Sequence, residues 1–167
     1  MKFILLAQLS SSGGCTIIFI VLTKSNRTQI IAFLNKGIKP EWEDDMNKDG
    51  GKWVVTLPIQ EDLKEEDAEK LTISTSWTQI ILMMIGVNID TELYEIINGA
   101  VFSIRDKHRR ISVWISDNLN KATPTLLKKI GIEIRNVTKL PVKYELQYQV
   151  HKKAIQHNLD NEAFLTA

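Results

Sequence analysis

The sequence predicts an α+β fold in a single domain, and three stretches carry that expectation. Between Gly99 and Ser116, "GAVFSIRDKHRRISVWIS", two runs of alternating apolar and polar residues flank a polar turn, the pattern of an antiparallel strand pair with one buried face. Lys52–Leu57 alternates in the same way after a Gly50-Gly51 turn. "STSWTQIILMMIG", Ser74–Gly86, instead spaces Trp77, Ile80, Ile81, Met84 and Ile85 as one face of an amphipathic helix. Strands and helices mix along the chain with no repeat or low-complexity linker between them, as an α+β domain requires.

A chain of 167 residues has the usual size of one domain and can bury about two thirds of its unfolded surface. Hydrophobic content of 44%, charged content of 25% and a net charge of +1 describe an ordinary soluble globular protein. A nucleic-acid partner would therefore be held by a local basic patch, not by the field of the whole molecule. Cys15 is the only cysteine, so there is no disulfide framework and no zinc-ligand spacing, and a reducing, cytosolic compartment fits.

Taken in order, residues 1–35 are apolar and poorly patterned. Met1, Lys2 and the run Phe3–Leu9 have the outline of a signal peptide, but a second apolar run, Thr16–Leu22, follows almost at once. Neither run approaches the ~20 residues of a membrane span, so two strands, or a short helix and a strand, are expected and no membrane partner is implied. In Lys52–Leu57, Trp53, Val55 and Leu57 share one face. Residues 60–72, "QEDLKEEDAEKLT", are densely charged and are expected as an exposed loop or solvated helix. Ser74 is the expected N-cap of the next helix and Gly86 its end. Leu82 and Met83 lie off its apolar stripe, so they either sit in a core or offer a partner a greasy surface. A further helix is expected from Pro124, with Leu127, Ile130, Ile134 and Val137 along one side, and one more strand between Pro141 and Lys152.

If Asp106–Arg109 form the hairpin turn, Arg105 pairs with Arg110, Ser103 with Ser112 and Val101 with Trp114. Ala100, Phe102, Ile104, Ile111, Val113 and Ile115 then make the core face, and the two arginines crowd the other. Like charges set opposite one another are unfavourable in a sheet, and an anion between them would relieve the cost. The alternative is a plain solvated basic turn. A one-residue slip in register would move Arg110 to the core face.

The polar stretch "KPEWEDDMNKDGGKW", Lys39–Trp53, poses a separate question, because Trp42 precedes three carboxylates where no core residue is expected. An exposed indole beside a carboxylate suits a flat heterocycle such as guanine: the indole stacks, and Glu43 accepts the N1–H and N2–H₂ donors of the base edge. Stacking of this kind is worth ~1–3 kcal/mol per base, and a positive charge on the base adds a cation–π term. The alternative is that Trp42 folds back under its loop. A hydrolase using Glu43–Asp45 with His108 or His151 would rest on residue types alone, without a nucleophile motif or metal spacing.

"GIKPEWEDDMNKDGGKW" followed by "GAVFSIRDKHRRISVWIS" resembles the translation initiation factor 4E family, whose members bind the 7-methylguanosine cap of messenger RNA. The resemblance is strongest over residues 36–57 and 99–114, weaker through Trp77–Gly86, and returns in "LPVKYELQYQVH"; residues 1–35 look atypical and 60–72 look like an insertion. It implies a curved antiparallel sheet with helices on the convex face and a cap slot on the concave one. It further implies that Trp42 and Glu43 bind the cap base, with Trp114 near the N7 methyl group, and that Arg105, Lys107 and Arg110 face the phosphates. Trp77, Thr78, Gln79, Leu82, Met83 and Gly86 fall on the helix that the family uses to dock initiation factor 4G and 4E-binding proteins, although Thr78 and Gln79 replace the family's usual leucine and glutamate. A cytoplasmic, monomeric, non-enzymatic protein without cofactor or metal is the implication. One departure stands out: the family's first cap-stacking tryptophan has no counterpart, since Phe3, Phe19 and Phe33 are the only aromatics before Trp42. A protein-interaction module with weakened or lost cap binding is therefore the alternative expectation.

Overall fold

A computed structural model of the chain describes residues 2–10, 16–25, 28–58, 63–85, 91–105, 108–117, 122–151 and 165–166. Among them, eight strands form one antiparallel sheet: β1 Lys2–Ser10, β2 Thr16–Ser25, β3 Thr28–Asn35, β4 Gly51–Pro58, β5 Ile97–Ile104, β6 His108–Ile115, β7 Leu146–Val150 and β8 Leu165–Thr166. Their spatial order is β1-β2-β3-β5-β6-β4-β7-β8. The helices are α1 Leu63–Met84, the single turn α2 Thr91–Tyr94, and α3 Pro124–Thr138. The α+β class is as expected, with a curved sheet and helices on its convex face.

The two apolar runs Phe3–Leu9 and Thr16–Leu22 lie in strands β1 and β2, the two-strand form of the expectation, and a third strand, β3, follows them and ends at Asn35. Thr, Ile and Val dominate Thr16–Ile31, and such β-branched side chains fit a pleated sheet better than a helix. Helix α1 also begins well before the expected N-cap. Ser74 lies inside it, its carbonyl accepting the Thr78 hydroxyl at 2.9 Å. The charged stretch from Leu63 onward is thus helical, as its Glu, Lys, Ala and Leu content favours even without an apolar stripe. Residues 60–62 lie outside the described residues.

The convex face carries the core. Trp53, Val55 and Leu57 of β4, Ala100 and Phe102 of β5, and Ile111, Val113 and Ile115 of β6 are buried beneath α1 and α3. Helix α3 starts at Thr123, whose hydroxyl accepts the Leu126 N–H at 3.3 Å, with Pro124 at the first helical position, and it ends at Lys139 in the left-handed conformation. Its Leu127, Ile130 and Ile134 are buried as expected, and the Leu127 carbonyl accepts the Trp53 indole N–H at 3.0 Å. On α1 the buried line runs through Ile73, Ser76, Ile80, Met83 and Met84, with Trp77 at its flank, 5.8 Å from the Phe102 ring.

The hairpin β5–β6 is offset from its expected register. Ser103, not Arg105, stands opposite Arg110, Val101 opposite Ser112 and Gly99 opposite Trp114. Each partner has moved by two residues, and a two-residue slip preserves the alternation of faces. Arg110, Ser112 and Trp114 therefore remain together on the face away from the helices. The connection is also shorter, since the Arg105 N–H reaches the His108 carbonyl at 3.0 Å and β6 starts at His108.

Candidate functional site

The face opposite the core is polar along its centre. Register places Arg110, Ser112 and Trp114 of β6 beside Thr56, Val54 and Lys52 of β4. Beyond Lys52 and Val54 come Gln149 and Gln147 of β7, and Ser103 and Val101 of β5 flank the other side. Trp114 is only 6% exposed, so its ring is the floor of this end and not a free plate. The Lys52 ammonium lies 5.4 Å from its centroid and the His151 ring 4.8 Å.

Positive charge concentrates along the same face. Burial lowers the Lys52 pKa, and the nearby Arg110 and Arg105 lower it further. Arg110, half-buried and held by a 3.3 Å hydrogen bond from Nε to the Thr56 hydroxyl, is likewise disfavoured as a cation by burial and by Arg105. Burial and then the same two arginines depress His108. No carboxylate among the described residues forms an ion pair with Lys52, Arg105 or Arg110. Like charges gathered without counter-charge cost stability, and a bound polyanion would reverse that cost. Lys107 lies outside the described residues.

The loop from Lys36 to Gly50 meets the Lys52–Trp114 end of this face. Gly50 and Gly51 permit the close approach, because a Cβ on Gly50 would run into the Ile115 carbonyl and one on Gly51 into Tyr148 and the Gln149 carbonyl. Asp44 is occupied inside the loop: its carboxylate accepts the Lys39 N–H at 3.0 Å and the Met46 N–H at 2.9 Å. Asp45 pairs with Lys48 at 2.8 Å. Glu43 is exposed, and it alone of the three acidic residues has no partner among the described residues. Beside it Trp42 is 45% exposed and makes no ring contact there.

Asn47 ties this loop together. Fully buried, it donates both side-chain N–H groups, to the Lys39 and Glu41 carbonyls, each at 2.9 Å. Its own carbonyl accepts the Gly50 N–H at 3.0 Å and the His151 ring at 2.7 Å. A carbonyl only accepts, so the His151 proton sits on Nδ1. His151 is 2% exposed, and burial, the largest influence, depresses its pKa to about 4.

On α1, Leu82 is 38% exposed, Thr78 is exposed and Trp77 and Gln79 are half-buried. Met83 is 3% exposed and belongs to the core, so it offers no surface to a partner; the buried line of α1 is rotated relative to the expected stripe. Gly86 lies outside the described residues. Of the earlier aromatics, Phe33 is buried at 2% and cannot face Trp42, while the Phe3 and Phe19 side chains lie outside the described residues. Lys52, Asn47 and Asn98 were not anticipated, and His151 was considered only as a partner of the Glu43–Asp45 carboxylates, not as a ring packed on Trp114. Lys52 alone had a sequence signal, since alternation with Trp53 puts it on the polar face. Among the described residues no acidic, His or Cys cluster could hold a metal, and no helix is long and apolar enough to cross a membrane.

The family model described as "Eukaryotic initiation factor 4E" matches residues 19–164, reaching further toward the N-terminus than the sequence motifs alone. Initiation factor 4E1 of Drosophila melanogaster is 35% identical over 121 residues, 72% of this chain and 42% of that protein. The chain spans about half the length of the curated relatives it matches. Two solved structures share the fold at 23% identity: C. elegans eIF4E-3 in complex with the 4E-binding protein Mextli (TM-score 0.69, covering 95% of this chain and 75% of that one) and Ascaris suum eIF4E-3 with an m2,2,7G cap (0.68, 95% and 74%).

Proposed function

The chain belongs to the eukaryotic initiation factor 4E family, and from that premise we propose that its polar sheet face binds the 7-methylguanosine cap of messenger RNA in translation initiation or its regulation. The observation that carries this reading is the division of labour in the Trp42 loop. Asp44 and Asp45 are engaged, leaving Glu43 free beside an exposed indole.

Trp42 stacks on the methylated base, whose positive charge strengthens attraction to the indole face, and Glu43 accepts the N1 and N2 hydrogens. Trp114 lines the end of the slot near the N7 methyl group. Arg110 lies four residues from Trp114 on β6, roughly 13 Å at ~3.3 Å per residue, so a base at one end and phosphates at the other fit the same face. Arg105, Arg110 and Lys107, joined by Lys52, take the phosphates. The protein changes no covalent bond, needs no cofactor, and acts in the cytoplasm as a monomer. On α1, Trp77 and the exposed Leu82, with Thr78 and Gln79, form the surface for initiation factor 4G or a 4E-binding protein, and Gly86, outside the described residues, follows them in the sequence.

Titration with 7-methyl-GTP while following tryptophan fluorescence, with GTP as control, tests the cap reading. Quenching by 7-methyl-GTP at concentrations where GTP has no effect is expected, and equal response to both would overturn it. One observation favours a second reading, an interaction module with weakened cap affinity: among the described residues no aromatic ring meets Trp42 from across the slot. One missing plate removes ~1–3 kcal/mol, roughly tenfold or more in affinity.

A further inference from the structure

Asn98 occupies an unusual place in the sheet. Ile97 pairs with Ile115 and Gly99 with Trp114, so Asn98 is the extra residue of a bulge in β5, beside the strand that carries Trp114. A bulged residue leaves the alternation of faces and can be aimed sideways. Here the side chain, 3% exposed, turns into the Trp42 loop and uses both amide hydrogens there, donating to the Met46 carbonyl at 2.7 Å and to the Asn47 side-chain oxygen at 2.9 Å.

The second bond has a further effect. By engaging Asn47 Oδ1, Asn98 fixes which way the Asn47 amide points, and so directs its two N–H groups at the Lys39 and Glu41 carbonyls. Those carbonyls bracket Pro40 and lead directly into Trp42 and Glu43. On its other side the same loop is tied through the Asn47 carbonyl to His151, whose ring lies against Trp114. The loop is thereby registered against the Trp114 end of the polar face by one amide pair.

We propose that Asn98, acting through Asn47, is a positioning residue that holds Trp42 and Glu43 in place for base recognition, an inference that rests on the cap-binding reading above. Asn98 touches no part of the ligand. Its effect is confined to the base, because the basic residues that take the phosphates stand on β4, β6 and the hairpin tip. Replacing it frees the loop without moving those strands.

The test compares wild type, Asn98→Ala, Trp42→Ala and the double variant in titrations with 7-methyl-GTP and with GTP. Asn98→Ala is expected to weaken 7-methyl-GTP binding about tenfold, the scale of two lost hydrogen bonds, and GTP binding by less, because the uncharged base gains no cation–π attraction from Trp42. In the Trp42→Ala background the same substitution should cost almost nothing further. Asn98→Asp, isosteric but without the two donors, should reproduce the loss and speed amide exchange at Met46 and Asn47 while β4 and β6 stay protected; it serves equally if the alanine variant does not fold. Unchanged discrimination between the two nucleotides in a folded Asn98 variant, or losses that add fully to those of Trp42→Ala, would overturn the positioning role. If wild type itself fails to distinguish 7-methyl-GTP from GTP, the cap reading falls and this inference with it.

Discussion

The His151 imidazole packs on the Trp114 indole with ring centroids 4.8 Å apart and planes inclined at 53°, and neither Nε2 of the first nor Nε1 of the second has a hydrogen-bond partner among the described residues. Burial is the largest influence on His151 and opposes its protonation, the Lys52 charge adds to it, and together they outweigh the Asn47 carbonyl, which favours the protonated ring. Folding therefore holds this histidine neutral. A depressed pKa means that the unfolded chain takes up a proton first, so stability is complete above pH ~6.5, falls as pH drops toward 4, and levels off below. The change amounts to roughly 3 kcal/mol. Urea midpoints between pH 7.5 and 4.5 should fall in wild type more steeply than in His151→Gln; parallel slopes would remove His151 as the cause.

Trp42→Ala should separate binding from stability. With Trp42 45% exposed and outside the core, removal of its ring should leave the unfolding free energy within about 0.5 kcal/mol of wild type. Affinity for 7-methyl-GTP should drop tenfold or more. A variant that melts several degrees early would mean that the indole folds under its loop after all.

Lys52→Met should have opposite effects on stability and binding. A partly buried cation facing Arg105 and Arg110 without a carboxylate opposes folding, and a methionine of similar length relieves that repulsion. The thermal midpoint should rise, while triphosphate binding weakens and its dependence on salt becomes shallower. A midpoint lowered by several degrees would show that Lys52 contributes packing that outweighs its charge.

Neighbouring residues on α1 should behave differently. Met83→Ala removes a core side chain and should cost about 2–4 kcal/mol. Leu82→Ala should alter stability little and weaken a docked partner helix, measured by titration with a helical peptide from a 4E-binding protein. Equal affinity of Leu82→Ala and wild type for that peptide would place the partner elsewhere.

The two faces of the β5–β6 hairpin were legible in the sequence even though its register was not, because side chains alternate with period two and the error was two residues. The exposure of Trp42 and Glu43 was legible for a related reason, since an aromatic among acids has no place in a core. The start of α1 was hidden because a segment of strong helix formers without an apolar stripe reads equally as surface loop. Asn98 gave no warning, since bulges depend on pairing between strands and Asn98-Gly99 resembles an ordinary strand entry. Lys52 was visible only as the polar partner of Trp53, and its proximity to Arg105 and Arg110 needed the sheet to be assembled.

The uncompensated cations along the polar face also bear on how long the protein lasts. A ligand that binds only the folded chain raises its stability in proportion to the logarithm of ligand concentration, and here it cancels a repulsion as well. The empty protein is the form that unfolds most readily and meets proteases first. On the cap-binding reading proposed above, its abundance would follow the supply of that polyanionic ligand, so that occupancy sets turnover without any separate signal.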